Sequence, residues 1–397
     1  MSRRYALRAA RVLTGSREFT DARVEVEEGR ITSVGPAEVS AYDISTIDLG
    51  DSTLAPGLID LHVHGSGGAW FGQSAADDRA IAGRMAASGT TSCLASLGGR
   101  RTFEEVLESI RTTASVVGSE HDGVELLGIH MEGPYISSEK RGAWMPQQLR
   151  SPSVEELRVM QEAAGGTIKT MTIAPELPKA LEVVAEAIVL GIRPAIGHTN
   201  ATFEEARAGI DAGMTIATHT FNAMRGLHHR DPGALGAVLA SAVVDAELIA
   251  DGQHVSRGAM EVLLAAKGTE KVMLVTDNVA LSGVDPGEYG EGQWRVTVSE
   301  EGVTLADGTI AGSVLPFNRH LSQMAEITGL PAAVRMATAN PARAIGVDGR
   351  KGGIEVGMDA DIVALSPELD VRLTINRGRI IFRHPSIGVP ESSVEAG

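Results

Sequence analysis

The stretch APGLIDLHVHGSGG, residues 55–68, runs from an apolar segment, 58–64, into a glycine-rich turn, and closes the segment with two histidines, His62 and His64. A short apolar run closed by a polar residue, then an Ala/Glu/Arg-rich helical stretch, recurs over roughly 55–345, which is the grammar of βα units. Apolar runs of this kind fall at 58–64, 91–95, 124–131, 168–174, 192–197, 214–218, 246–250 and 272–276. Eight strands is the number that closes a (β/α)8 barrel, so the fold class is read as α/β with the barrel at its centre. Helical stretches at 75–88, 102–117, 153–164, 178–190, 202–212, about 232–241 and 257–267 fit between the strands, with further helices near 314–328 and 331–345. Thr102, Ser153 and Thr202 each precede a carboxylate-rich first turn, where a hydroxyl caps the free amides and negative charge favours the dipole. The segments on either side, 1–54 and 346–397, instead alternate in the two-residue period of strands, as in Ala22-Arg-Val-Glu-Val-Glu27 and Leu373-Thr-Ile-Asn376. The chain therefore divides into a β-rich unit from both ends, 1–54 plus 346–397, and a barrel over 55–345. A Gly-rich excursion at 281–313 follows the eighth strand; it reads either as a lid over the barrel mouth or as a surface hairpin.

In a parallel barrel the chemistry collects at the C-terminal ends of the strands. Here those ends carry His62 and His64, Glu132, His198, His219, then Asp251 and His254, and finally Asp277. Residues two apart on a strand share a face, so both imidazoles of His62-Val-His64 face one space. Glu132, His198 and His219 form the stronger set: one carboxylate and two neutral imidazoles suit a divalent zinc or iron and leave positions open for water. Singly, Glu132 reads as well as a buried ion-pair partner, His198 as a helix cap and His219 as a core histidine. Three such placements at strand ends favour the metal. Asp277 is the natural proton handler, taking a proton from an attacking water and returning it to a leaving group. Hydrolysis of an amide fits this set best.

Composition narrows the partners. Lys plus Arg number 35 against 51 Asp plus Glu, a net charge of −16, the wrong sign for nucleic acid or an anionic membrane. The single cysteine, Cys93, excludes an intrachain disulfide and a cysteine-based zinc site. Charges interrupt the N-terminal residues before a signal-peptide core forms, and no window approaches 18 uncharged apolar residues. The reading is a cytoplasmic protein with a small-molecule substrate and no nucleic-acid or membrane partner.

The motifs GIHMEGPYIS (128–137), AIGHTNAT (195–202), ATHTFNAM (217–224), HHRDPG (228–233), IADGQHV (249–255), LVTDNVA (274–280), IAGS (310–313) and GMDADIVAL (357–365) join the opening stretch in one resemblance. Along nearly its whole length the chain resembles the N-acetylglucosamine-6-phosphate deacetylases of the amidohydrolase superfamily. The resemblance implies a TIM barrel with a small β-sandwich domain assembled from both chain ends. It implies a divalent metal, zinc first with iron or manganese as alternatives, bound by Glu132, His198 and His219, and Asp277 as acid/base. His62 and His64 supply a second metal position in members that carry the pair, so one or two ions are implied. It places Asn222, Ala223 and Arg230 on the sugar phosphate, Asp251, Gly252, Gln253 and His254 around the sugar, and Ile310, Ala311 and Gly312 closing over it. A guanidinium at Arg230 suits phosphate on its own chemistry, through a fork of donors. A homodimer is implied, with the neighbouring subunit completing the phosphate pocket.

Two positions depart from the family pattern. The segment Lys140-Arg-Gly-Ala143-Trp144-Met-Pro146 has tryptophan where a substrate-contacting histidine is usual. Ala143 keeps a backbone contact, whereas Trp144 is expected to stack on a sugar face, which leaves N-acetylgalactosamine 6-phosphate as the alternative substrate. Asn278 also follows the aspartate where a small apolar residue is common. Among other chemistries, two-metal relatives acting on cyclic amides use a carbamylated lysine at the fourth strand end, where this chain has Ala174-Pro-Glu176. A Schiff-base aldolase needs a strand-end lysine, and none is evident.

Overall fold

Asp277 donates its backbone N–H to the carbonyl of His62 at 2.8 Å, and His64 donates to the carbonyl of Asn278 at 2.7 Å, so the two ends of the central sheet meet at the residues the sequence singled out. This is a computed structural model, and it describes residues 4–37, 44–119, 121–290, 295–299 and 302–387. Eight parallel strands, Leu58–Val63, Thr90–Leu97, Glu125–Glu132, Ile168–Ile173, Arg193–Ile196, Ile216–Ala217, Asp245–Ile249 and Val272–Val275, pair in chain order. Below the seam, the Asp60 carboxylate accepts from the Thr276 hydroxyl at 2.6 Å and the Thr276 amide at 3.2 Å, tying the first strand to the eighth. All eight residues of the second strand are buried, as expected of a strand covered on both faces.

The helices follow the capping signals closely. Thr102 with Glu105 and Thr202 with Glu205 form reciprocal capping boxes, and the Ser153 hydroxyl accepts from the Glu156 amide. The segment expected as one helix over 331–345 is two, Leu330–Ala337 and Ala339–Ala344, because Thr338 takes a non-helical conformation (φ −138°, ψ −77°). That break lets Ala342, Ala344 and Ile345 join Ile59, Leu61, Leu94, Leu127, Ile216, Met273 and Val275 in one buried cluster, a plug inside the barrel. The sixth strand is only two residues long, against the expected 214–218, since the chain turns into the His219 loop directly after Ala217.

The two ends of the chain build one eight-stranded sheet, Arg4–Leu13, Glu18–Glu27, Arg30–Pro36, Thr46–Asp48 and Thr53–Pro56 with Ile362–Leu365, Val371–Asn376 and Arg379–Arg383. It encloses its own apolar core, including Leu7, Val24, Ile47, Ile362 and Ile375, and is the small β-sandwich domain. Lys351, fully buried, ties this unit to the barrel: its ammonium bonds Asp361 and Glu125, and Arg350 bridges Glu125 and Asp359. The excursion after the eighth strand is a three-stranded antiparallel sheet, Gly287–Tyr289, Val296–Val298 and Val303–Leu305; residues 291–294, 300 and 301 lie outside the described residues. Its return segment runs against the eighth-strand end, with Ser313 donating to the Asp277 carbonyl at 3.1 Å. Among the described residues no helix is long and apolar enough to cross a membrane.

Candidate metal centre

His198, His219 and Asp277 all have positive φ, +46°, +27° and +53°. Non-glycine residues rarely adopt this conformation, and it concentrates where a side chain must be aimed. Each follows its strand end, and the sharp turn directs the side chain across the barrel mouth. The turn after His198 is held by Glu176, whose carboxylate accepts from the Thr199 hydroxyl and the Asn200 amide, both at 2.6 Å.

The side chains converge on Glu132. Its Oε1 lies 3.0 Å from His198 Nε2 and 3.2 Å from His219 Nε2, and the two Nε2 atoms are 3.0 Å apart. A second triangle shares the same carboxylate: His62 and His64 Nε2 are 3.2 Å apart, and each is 3.4 Å from a Glu132 oxygen. These two triangles are the groups able to hold a metal ion among the described residues. Zinc–nitrogen and zinc–oxygen bonds of about 2.0–2.1 Å at tetrahedral angles place donors about 3.4 Å apart, so both triangles fit such an ion. Charge makes the same demand. Glu132, Glu247 and Asp277 surround His62, and buried carboxylates require a compensating cation.

Ring orientation is fixed from behind. His198 Nδ1 donates to the Lys140 carbonyl at 2.9 Å and His62 Nδ1 to Glu247 Oε2 at 3.1 Å, which leaves both Nε2 atoms free to ligate. Burial holds His219 below the usual histidine range, so its ring stays neutral, as a ligand must be. Asp277 Oδ1 stands 3.4 Å from both His62 and His64 Nε2. Burial opposes its ionisation, but these two imidazoles outweigh that and hold its carboxyl below the ordinary range.

Two residues of this arrangement carried no signal that sequence reasoning used. Glu247, in the middle of the seventh strand, also accepts from the His219 backbone N–H at 3.1 Å, so one buried carboxylate steadies a residue of each triangle. His130 lies beneath, its ring edge-on to His62 at 4.5 Å and its nitrogens bonded to Ser96 and Thr172, both at 2.9 Å. An acidic residue between Ala246 and Leu248 in the buried strand Asp245–Ile249 was the available clue for Glu247.

The residues assigned to substrate spread around this centre. Asn222 and Ala223 sit half-buried in the turn after His219, with Asn222 donating to the His219 carbonyl at 3.1 Å. The Asp251 carboxylate is fully covered and occupied, accepting from His254 Nδ1 at 2.6 Å and from the Gln253 and His254 amides at 2.9 and 2.8 Å. Its side chain orients His254. Gly252 and Gln253 are exposed and His254 is half-buried. Ile310, Ala311 and Gly312 lie on the return segment beside Asp277, with Gly312 so close to Val279 that a Cβ there would stand 2.3 Å from it. Arg230 is exposed on the His228–Asp231 turn. Trp144 differs from its expected role as a sugar platform: the indole is buried and its N–H donates to Glu132 Oε2 at 3.3 Å. Ala143 beside it is half-buried.

The amidohydrolase family model matches residues 53–381, which spans the whole barrel and the seam described above. The chain belongs to the amidohydrolase family. This amidohydrolase is 35% identical over 379 residues to N-acetylglucosamine-6-phosphate deacetylase of Bacillus subtilis, covering 94% of this chain and 95% of that one. It is 33% identical to N-acetylgalactosamine-6-phosphate deacetylase of Escherichia coli O157:H7, over 95% and 99% of the two chains. A solved structure of a mutant N-acetyl-D-glucosamine-6-phosphate deacetylase from Mycobacterium smegmatis, in complex with N-acetyl-D-glucosamine-6-phosphate, superposes with a TM-score of 0.89 at 32% identity, covering 95% of this chain and 99% of that one.

Proposed function

We propose that this amidohydrolase removes the N-acetyl group of N-acetylglucosamine 6-phosphate, giving glucosamine 6-phosphate and acetate in amino-sugar metabolism. The observation that carries the reading is the convergence of Glu132, His198 and His219 on one point, with Asp277 beside it. Glu132, His198 and His219 would hold a divalent ion, which supplies Lewis-acid polarisation of the amide carbonyl and eases deprotonation of water. His62 and His64 would hold a second ion together with the same Glu132 carboxylate. The N/O donor set makes zinc the first candidate, with iron or manganese as alternatives.

Asp277 takes a proton from the attacking water as the new C–O bond forms. The same carboxyl then returns the proton to the leaving nitrogen as the C–N bond breaks, so the atoms balance without a further acid. His254, held by Asp251, would donate to the acetyl carbonyl. Burial opposes charge on both, but the bond between them wins, lowering Asp251 and raising His254, so the imidazole is kept as a donor. Asn222 and Ala223 line the sugar side, Ile310 to Gly312 close it, and the Arg230 fork takes the phosphate. We also propose a homodimer in which the neighbouring subunit completes the phosphate pocket. We place the protein in the cytoplasm and divide it into a sandwich unit, 1–54 plus 346–397, and a catalytic barrel, 55–345.

A second substrate is favoured by a specific observation: a relative named for the galactosamine series matches at nearly the same identity as those named for the glucosamine series. The deciding experiment measures acetate release from both N-acetyl hexosamine 6-phosphates by purified protein, metal-stripped and then reloaded with zinc, iron or manganese. We expect turnover of the glucosamine substrate that vanishes on stripping and returns with an ion. Turnover of neither sugar with any ion would overturn the reading.

A further inference from the structure

The segment between Lys140 and Gln148 touches two residues of the metal centre at once. At one end the Lys140 carbonyl receives the His198 Nδ1–H at 2.9 Å, and four residues on the Trp144 indole N–H reaches Glu132 Oε2 at 3.3 Å. The segment is braced for this: Arg141 donates to the Trp144 carbonyl at 2.6 Å, Met145 donates to Gln148 Oε1 at 2.6 Å, and the Gln148 amide bonds the Gly99 carbonyl. The indole also has a built seat. A Cβ at Gly98 would lie 2.5 Å from its Cζ2, and one at Gly133 would lie 3.4 Å from its Cη2, so glycine at 98 is what admits the ring.

We propose that Trp144 is a positioning residue of the metal centre, its indole N–H holding Oε2 of Glu132 so that Oε1 is presented to His198 and His219. This rests on the metal-centre reading above. A carboxylate free to rotate about its last torsion exchanges its two oxygens; one tied to a rigid, buried donor does not. Oε1 is the oxygen that faces His198 and His219 at 3.0 and 3.2 Å and His62 at 3.4 Å, while Oε2 faces Trp144 and, at 3.4 Å, His64. Partners of this kind, hydrogen-bonded to a ligand, typically change metal affinity about 10–100-fold when removed.

The test compares the wild type with Trp144→Phe and Trp144→His, titrating each metal-free protein with zinc against a chromophoric chelator. KM for N-acetylglucosamine 6-phosphate is then measured at saturating zinc. We expect Trp144→Phe, which keeps the ring and loses the N–H, to bind zinc about 10–100-fold more weakly with little change in KM. Trp144→His, which restores a ring N–H, should recover part of that loss. Unchanged zinc affinity in Trp144→Phe overturns the proposal, as does a raised KM with unchanged affinity, the signature of a sugar contact. In Trp70→Phe/Trp294→Phe, where Trp144 is the sole tryptophan, zinc should shift its emission, a readout that survives if the Phe variant misfolds; no shift counts against the proposal. A wild type that binds no ion overturns the metal-centre reading itself, a distinct result.

Discussion

Replacing Glu247 by glutamine removes a charge from behind the metal centre while leaving the volume of the side chain in place. In the wild type one oxygen, Oε2, accepts from His62 Nδ1–H and from the His219 backbone N–H, both at 3.1 Å. Hydrogen bonds to a charged group are worth about 1.5–3 kcal/mol and neutral ones about 0.5–1.5 kcal/mol, so the exchange costs roughly 1–1.5 kcal/mol for each. For the His62 imidazole, itself a ligand, that is roughly 5–12-fold in zinc affinity at a tenfold change per 1.4 kcal/mol. We expect the loss in zinc affinity to fall mainly on the triangle containing His62, whose imidazole loses an anionic partner. The His198/His219 triangle, which loses only a backbone contact, should weaken less. Competitive titration of metal-free protein with a chromophoric chelator, with elemental analysis of bound zinc, resolves the two steps. Glu247→Gln with both affinities within twofold of wild type would refute the reasoning and leave Glu247 as a polar filler of the barrel.

Asp277→Asn should lower kcat about 10²–10⁴-fold while leaving the dissociation constant for substrate nearly unchanged, by single-turnover kinetics and calorimetry; equal loss of binding would point to a structural role. Arg230→Ala should raise KM for the phosphorylated sugar with little change in kcat, and should narrow its preference over unphosphorylated N-acetylglucosamine in the same assay. Lys351→Met leaves the buried carboxylate of Asp361 without its cation and Glu125 with Arg350 alone, and should cost about 3–5 kcal/mol, seen as a lower urea midpoint. Burial opposes ionisation of Glu125, but Arg350 and Lys351 push its carboxyl down to about 2. Its stabilisation is therefore full above the ordinary carboxylate pKa and is lost as pH falls toward 2, so Glu125→Gln should flatten the fall of Tm across that window.

Much of the fold was legible because each barrel strand is a short apolar run with turn chemistry on both sides. The helix starts were equally plain, since Thr102 and Thr202 carry their capping partners three residues on. The break at Thr338 had a local sign in Pro341, which cannot continue a helix interior, but nothing local shows that a barrel interior beyond it needs filling. At the site, His62, His64, Glu132, His198, His219 and Asp277 stood out because each ends an apolar run. Glu247 and His130 did not, since they lie within their strands and derive their roles from neighbours about 185 and 68 residues away. Trp144 was visible as an oddity, but its partner was not: an indole beside a sugar and an indole beneath a carboxylate have the same local sequence.

The sequence by itself determined the eight-fold βα order, the polar residue at each strand end and the family to which they belong. These depend on periodicity and on local chemistry, which a linear pattern records. Tertiary structure alone decided that the first and eighth strands meet at His62 and Asp277, that one Glu132 carboxylate is shared by two sets of imidazoles, and which side chains stand behind them. Distances of 3 Å between residues scores of positions apart arise from barrel closure and from backbone turns at positive φ, neither of which any short stretch of the chain encodes.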